Sequence, residues 1–353
     1  MKTDPIFSSL NFHSKFIKKV VILLVLISTG CSQSEKKIYY FQGEALGTTY
    51  HIKAIPDDDN LVLMQKHIDS VITAVNNSLS TYQNNSLISH INKGEKLSVD
   101  QQFRDVFIAA RKIYLETDGY YDPSIGILVN AWGFGPKKKL PNIEKDSSLI
   151  DSLKQFVGYN MLQIDNKGTL IKKYPQIYID YNSIAKGYAI DRIGQMLSDK
   201  HFDNYIIEIG GEVLTKGRNT ERNRAWLVAV DNPDRKDAEK FISKIDLTDK
   251  AMATSGNYRK FYIDKATGRK YVHTLNPKTG YPIQSNLLSA SVIADNCTMA
   301  DGYATAFMVL GFEKSKIFLN NHPELQAFLV FSDEKGNIKT FKTNQVKIEE
   351  QKN

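Results

Sequence analysis

The chain has 353 residues, of which 42% are hydrophobic and 24% charged, with a formal net charge of +7 and two cysteines. Those fractions are ordinary for a globular protein with room for a large core in one domain or two, and two cysteines leave no Cys-rich metal site or disulfide framework. The first thirty residues hold four Lys and one Asp, so the charge falls to +4 without them; Lys137-Lys138-Lys139 is the one tight basic cluster, which gives no argument for a nucleic-acid partner.

Lys15, Lys18 and Lys19 precede an apolar run, Val20 to Ile27, and then Ser28-Thr29-Gly30-Cys31. This is the order of a secretory signal: basic region, short apolar region, small-residue cleavage zone. The run falls short of the roughly 20 apolar residues that span a bilayer. Cys31 directly after Thr29-Gly30 resembles a bacterial lipoprotein signal, with Ser28 where such signals commonly carry Leu. The resemblance implies a signal peptide over residues 1–30, a lipidated Cys31, a short tether over 31–38 and a domain over 39–345. It also implies a membrane lipoprotein facing the periplasm, on the inner membrane in preference to the outer. Cys297 is then the only remaining thiol.

Tyr39 to Ile55 reads as a strand pair broken at Gly47, followed by a turn at Pro56–Asn60. Met64, Ile68, Val71, Ile72, Val75 and Leu79 recur at helical spacing, and Phe103, Phe107, Ala110, Ile113 and Tyr114 mark a second helix that stops at Asp118-Gly119. Tyr120 to Pro136 has no regular pattern but is rich in Gly and aromatics; it suits either a ligand cover or a hydrophobic plug. A third helix is predicted around Leu149–Phe156, then a hairpin across Asn166–Gly168. Ile177–Ile179 has the look of a buried strand, and a helix follows from Ala185 to Leu197. Between them Asp180, Asn182 and Ser183 are capping and turn-forming types. Such a junction suits an anion at the helix N-terminus, and equally suits a plain strand-to-helix connection. Strands are predicted at Tyr205–Ile209, Trp226–Val230, Phe241–Ile245, Arg259–Ile263 and Leu288–Ala294. A helix at Cys297–Leu310 is closed by Gly311, and a last hairpin joins Ala327–Phe331 to Ile338–Phe341. Without regular βαβ alternation the pattern argues for an α+β fold, mixed sheets packed with helices.

Asp301 and Thr305 stand four apart in the Cys297–Leu310 helix, so carboxylate and hydroxyl share one face. Hard oxygen donors so placed suit Mg²⁺, which takes a carboxylate or two and keeps places for phosphate oxygens; a solvent-facing Asp beside a back-bonded Thr fits the spacing as well. His273 enters the turn Asn276-Pro277-Lys278-Thr279-Gly280, where an imidazole can take a proton from a hydroxyl or simply brace the turn. Dinucleotide, phosphate-loop, zinc-protease and hydrolase-elbow signatures are absent from the sequence.

Taken in order, Leu46-Gly47-Thr48-Thr49-Tyr50, Ser80-Thr81-Tyr82, Asp122-Pro123, Trp132-Gly133-Phe134-Gly135-Pro136, Ala185-Lys186-Gly187-Tyr188-Ala189, Gly210-Gly211-Glu212, Ala253-Thr254-Ser255-Gly256, His273 with Pro277 and Thr279-Gly280, and Ala300–Ala306 resemble the ApbE family of flavin transferases. The resemblance implies an ApbE-like, T-fold-like architecture. It implies that FAD is the substrate, that FMN passes to a Thr hydroxyl of an acceptor flavoprotein such as a membrane redox-complex subunit, and that AMP leaves. It implies Mg²⁺ held by the Ala185 carbonyl, Asp301 and Thr305, His273 acting at the acceptor hydroxyl, and a flavin dinucleotide site lined by Leu46, Tyr82, Trp132, Gly133, Phe134, Asp180, Asn182, Tyr188 and Leu275. Departures are Leu46 in place of a frequent Met, Tyr181-Asn182-Ser183, and Asn276 where Asp is common. An FAD pyrophosphatase that gives FMN and AMP to water, or a lipoprotein that only binds flavin, is compatible with the same residues.

Overall fold

The structure is a computed structural model, and it describes residues 38–56, 63–233, 240–257, 261–263, 268 and 270–349. The expected signal peptide over residues 1–30, Cys31 and the turn expected at 57–60 lie outside the described residues, as do Arg259 and Lys260. Ile38–Asn353 is a compact unit of its own.

Its frame is an eight-stranded sheet in which every neighbouring pair is antiparallel. In chain order the strands are β1 (Tyr39–Ala45), β2 (Thr48–Pro56), β3 (Leu162–Ile164), β4 (Leu170–Lys172), β5 (Phe202–Ile209), β6 (Glu212–Lys216), β7 (Trp226–Asp231), β8 (Phe241–Leu247), β9 (Ala251–Gly256), β10 (Phe261–Ile263), β11 (Lys270–Val272), β12 (Leu287–Ala294), β13 (Gln326–Ser332) and β14 (Ile338–Lys342). The large sheet runs β1-β2-β5-β6-β9-β12-β13-β14, and β3-β4, β7-β8 and β10-β11 are separate pairs. The helices are α1 (Met64–Leu79), α2 (Leu87–Asn92), α3 (Gln101–Glu116), α4 (Gly126–Ala131), α5 (Ser147–Lys154), α6 (Ala185–Asp199), α7 (Cys297–Leu310) and α8 (Phe312–Asn321). The α+β expectation holds.

Side chains alternate across a strand, so the sheet has two faces. From β9 and β12, Ala253, Ala290 and Val292 join the main core with α1, α3, α6 and α7. Met252 and Ile293 point the other way, into a second cluster with Val228, Val230, Ile245 and Leu247 of the β7-β8 hairpin. The small residues of β9, Ala-Met-Ala-Thr-Ser-Gly, read poorly as a strand, and sequence reasoning missed it along with β6 and β11. The short helices α2, α4 and α8 were missed as well.

One expectation is overturned. Ile177–Ile179 is buried and extended but is not a sheet strand; only Tyr178 makes an isolated bridge, with Ile125. Its backbone is satisfied by a side chain: Asn92 accepts the Ile179 N–H (2.8 Å) and donates to the Ile179 carbonyl (2.8 Å). An amide that offers one donor and one acceptor substitutes locally for a neighbouring strand.

Two tight turns sit side by side at one end of the sheet. Leu46 and Gly47 have φ of 50° and 79°, the two left-handed residues of a two-residue hairpin. Gly210 and Gly211 do the same between β5 and β6, and the Gly210 N–H donates to the Thr49 carbonyl (3.2 Å). Leucine rarely adopts φ > 0, so Leu46 stores backbone strain where a flavin contact is expected.

Candidate active site

The corner of interest is made where α6 and α7 cross. Gly187, in the first turn of α6, packs so tightly on α7 that an added Cβ would collide with the Cys297 carbonyl. Asp301, one turn further along α7 and 3% exposed, accepts the Gly187 N–H through Oδ2 (3.1 Å). The α6 N-terminus is therefore capped by a carboxylate from another helix. The residue at its own cap position, Ile184, offers no side-chain bond. Asp180 does not cap α6 as its residue type suggested; it accepts the Asn182 N–H (2.9 Å) in a local turn. The helix N-terminus that suited a free anion has thus already engaged Asp301 at Gly187.

Around Asp301 the polar groups converge. Thr305 stands one turn on and its hydroxyl lies 3.3 Å from Ser255 Oγ of β9. Ala185, the first residue of α6, is two residues from the N–H that Asp301 holds. Lys186 donates to Glu212 Oε1 (2.5 Å), bringing the Gly210-Gly211 turn to the same corner. Burial works against charge on Lys186, but Asp301 and Glu212 outweigh it and hold the ammonium above the usual lysine range. Burial, with the Asp301 charge added, pushes Glu212 up to about 7 against the pull of Lys186. Glu212 Oε2 is buried and has no hydrogen-bond partner among the described residues.

These residues fit Mg²⁺. Asp301 Oδ1 is engaged by no described residue, and the donors are a carboxylate, a hydroxyl and a backbone carbonyl, all hard oxygens. Among the described residues there is no group of three or more His, Cys, Asp or Glu that could hold a metal ion. Burying Asp301 beside an orphaned Glu212 oxygen leaves polar groups short of partners, a cost that a bound cation and its water relieve.

His273 follows β11 and is carried by a loop tied to this corner. Thr274 donates to Asn257 Oδ1 (2.8 Å), and Asn257 is two residues beyond Ser255. The Asn276–Gly280 turn closes by Gly280 N–H to Asn276 carbonyl (2.7 Å), and Leu275 bridges Pro282. Trp132 Nε1 donates to the Gly280 carbonyl (2.9 Å), fastening the aromatic loop to the His273 loop.

The family model described as ApbE family matches residues 46–329. This chain belongs to the ApbE family. It is accordingly a transferase by class. A Haemophilus influenzae protein named FAD:protein FMN transferase is 32% identical over 332 residues, 91% of this chain and 94% of that protein. A Vibrio cholerae protein of the same name is 33% identical over 302 residues, 84% of this chain and 88% of the relative. The solved structure of the flavin transferase ApbE from Vibrio cholerae aligns with a TM-score of 0.78 at 30% identity, covering 87% of this chain and 97% of that one. The apo flavinyl transferase ApbE of Pseudomonas stutzeri aligns with a TM-score of 0.76 at 29% identity, covering 87% and 95%.

Seen in an ApbE-family chain, the remaining expected residues divide into two groups. Tyr82, Asp180 and Asn182 gather: Asn182 Nδ2 donates to Thr81 Oγ1 (3.3 Å), and burial with the Asp180 charge raises the Tyr82 phenol. Tyr82 is 58% exposed, an aromatic face offered to solvent. Tyr121 links this group to the α6–α7 corner, since its hydroxyl accepts from Ser183 (3.2 Å) and burial, then the Asp301 charge, raises its pKa. The others face inward. Trp132, Phe134 and Leu275 are buried in a third cluster with Leu128, Ile150 and Tyr271, so their side chains form a plug of their own. Gly133, with φ of 78°, turns the backbone between them. Tyr188 is buried and donates to Asp105 of α3 (2.8 Å). Sequence reasoning assigned no role to Lys186 or Asp191; the signal was their place in the first turns of the α6 helix.

Proposed function

We propose that this protein is a Mg²⁺-dependent FAD:protein FMN transferase that joins FMN to a Thr hydroxyl of an acceptor protein by a phosphoester bond and releases AMP. The observation that carries this reading is the α6–α7 corner: Asp301 of α7 holds the Gly187 N–H, two residues from Ala185 on α6, with Thr305 one turn further along α7 and a buried carboxylate with an unpartnered oxygen nearby. The names of the relatives supply the reaction class.

Phosphoryl transfer needs alignment and charge stabilisation more than covalent help. Mg²⁺, when bound, neutralises charge on the pyrophosphate and makes its FMN-side phosphorus easier to attack. Asp301, Thr305 and the Ala185 carbonyl would hold it. Lys186 trims the negative charge of Asp301 and Glu212 so that an anionic substrate is not repelled. His273 takes the proton of the acceptor hydroxyl as its oxygen bonds to that phosphorus. The bond from phosphorus to the AMP oxygen breaks, and AMP leaves with the electron pair. The strained Leu46 turn and the exposed Tyr82 face serve as walls for the dinucleotide. The Trp132–Leu275 plug holds the His273 loop in register by packing and by the Trp132–Gly280 bond.

The basic, apolar and small-residue segments ahead of Cys31 support a lipid anchor there and a place at a bacterial membrane, facing the periplasm. No helix among the described residues is long and apolar enough to cross a membrane. Labelled fatty acid should enter the wild-type chain and not Cys31→Ala; equal labelling would remove the anchor.

Incubation with FAD, Mg²⁺ and a Thr-containing acceptor tests the activity. Flavin fluorescence that stays with the acceptor on a denaturing gel is expected. Free FMN alone would make the protein a pyrophosphatase, and unchanged FAD a flavin binder.

A further inference from the structure

The α6–α7 crossing is reciprocal. Asp301 lies four residues beyond Cys297 and accepts an N–H from the first turn of α6. Asp191 lies four residues beyond Gly187 and accepts from the first turn of α7: the Cys297 N–H (2.7 Å), the Thr298 N–H (2.8 Å) and the Thr298 hydroxyl (2.5 Å). Each helix thus places one carboxylate on the positive end of the other, where a negative charge is favoured. Asn296 accepts the Met299 N–H (2.9 Å), so the first N–H groups of α7 are all held.

The expected metal donors come from both helices, Ala185 from α6 and Asp301 with Thr305 from α7. A backbone carbonyl cannot swing to meet an ion, so its distance from Asp301 is set by how the helices cross. Gly187 allows the close approach, and Asp191 fastens it with three bonds from one half-buried side chain. The geometry points to Asp191 as a positioning residue for the Mg²⁺ site: its carboxylate fixes α7 against α6 and so sets the spacing of Ala185, Asp301 and Thr305. This rests on the reading of that corner as the metal site. Partners that orient metal ligands typically change affinity by about 10–100-fold when removed.

The test is metal affinity of the purified full chain, with Mn²⁺ as the probe and free Mn²⁺ read by electron paramagnetic resonance. Asp191→Asn keeps the size but turns an amide NH₂ toward N–H donors, and it should weaken Mn²⁺ binding by about 10–100-fold. Thr298→Val removes only the hydroxyl bond and should weaken it by a smaller factor; it decides the matter if Asp191→Asn does not fold. Val230→Ala, in the cluster on the opposite face of the sheet, lowers stability without touching the crossing and should bind Mn²⁺ like the wild type. A folded Asp191→Asn that binds Mn²⁺ at wild-type affinity would overturn the inference. So would a loss equal to that of Val230→Ala at matched melting temperature. A wild-type chain that binds no Mn²⁺ would remove the site itself, and this inference with it.

Discussion

Two regions of the molecule do opposite things with their side chains. At the α6–α7 corner the interior is polar: Asp301, Asp191, Glu212 and Lys186 are drawn in and held by helix ends and by one another, with Glu212 Oε2 left without a partner among the described residues. At the aromatic loop the interior is apolar, with Trp132, Phe134, Leu275 and Tyr271 packed as a small core that Trp132 fastens to the Gly280 carbonyl. Buried charge is tolerated only where partners are placed for it, whereas apolar packing asks only for shape. The corner supplies charge at fixed points, and the loop supplies a rigid mount for His273. Damage to the corner should therefore remove chemistry, and damage to the loop should first remove stability.

The largest effect belongs to Asp301→Asn. It keeps the shape but removes the charge for the metal, so transfer and hydrolysis should fall by at least about 10³-fold, beyond what loss of one electrostatic contact gives. Turnover assays with rising Mg²⁺ check this, and near wild-type turnover would break the division. Next comes His273→Ala, where kcat should drop by about 10²–10⁴-fold with FAD binding almost unchanged. Calorimetric FAD titration beside a kcat measurement separates the two; a fall in FAD affinity alone would make His273 a binding residue.

Trp132→Ala should act differently, losing about 3–5 kcal/mol of stability to a cavity in the plug. Urea unfolding measures it, and Mn²⁺ affinity of the folded fraction should stay at the wild-type value. The smallest effect concerns pH. Asp122 is buried, and although it accepts from Ser124 and Tyr159, burial pushes it up to about 6. The folded chain then holds that proton more tightly than the unfolded chain. Its contribution is complete below the ordinary aspartate value and is lost as pH rises through about 6, amounting to about 2–3 kcal/mol at most. Asp122→Asn should reduce the fall in urea midpoint between pH 4 and pH 6. It should not abolish it, because Asp191 is also pushed up to about 6 by burial. An unchanged slope would contradict the burial argument.

The corner was half legible in the sequence. The i, i+4 spacing put Asp301 and Thr305 on one face, and Gly311 closed their helix at φ 79° as expected. What the sequence could not show is that Asp301 would cap a different helix, because that bond spans 114 residues and follows from packing at Gly187. Ile177–Ile179 was misread for a related reason: apolar β-branched residues announce burial and extension, while the partner, here the Asn92 amide, is a tertiary fact. β9 went unseen because small residues with weak strand preference are accepted where a helix must pack close. The aromatic loop was legible as apolar, yet whether its rings meet a ligand or one another depended on the His273 loop folding over them.

The central claim is that two helices hold a metal and a separate loop holds the base. The most direct measurement is the mass of a Thr-containing acceptor after incubation with FAD across a Mg²⁺ series, for wild type and Thr305→Val. The account predicts a gain of FMN less water in the wild type, none in excess chelator, and for Thr305→Val a curve displaced to higher Mg²⁺. Wild-type transfer that persists in chelator, or a Thr305→Val curve that superposes on the wild type, would contradict it.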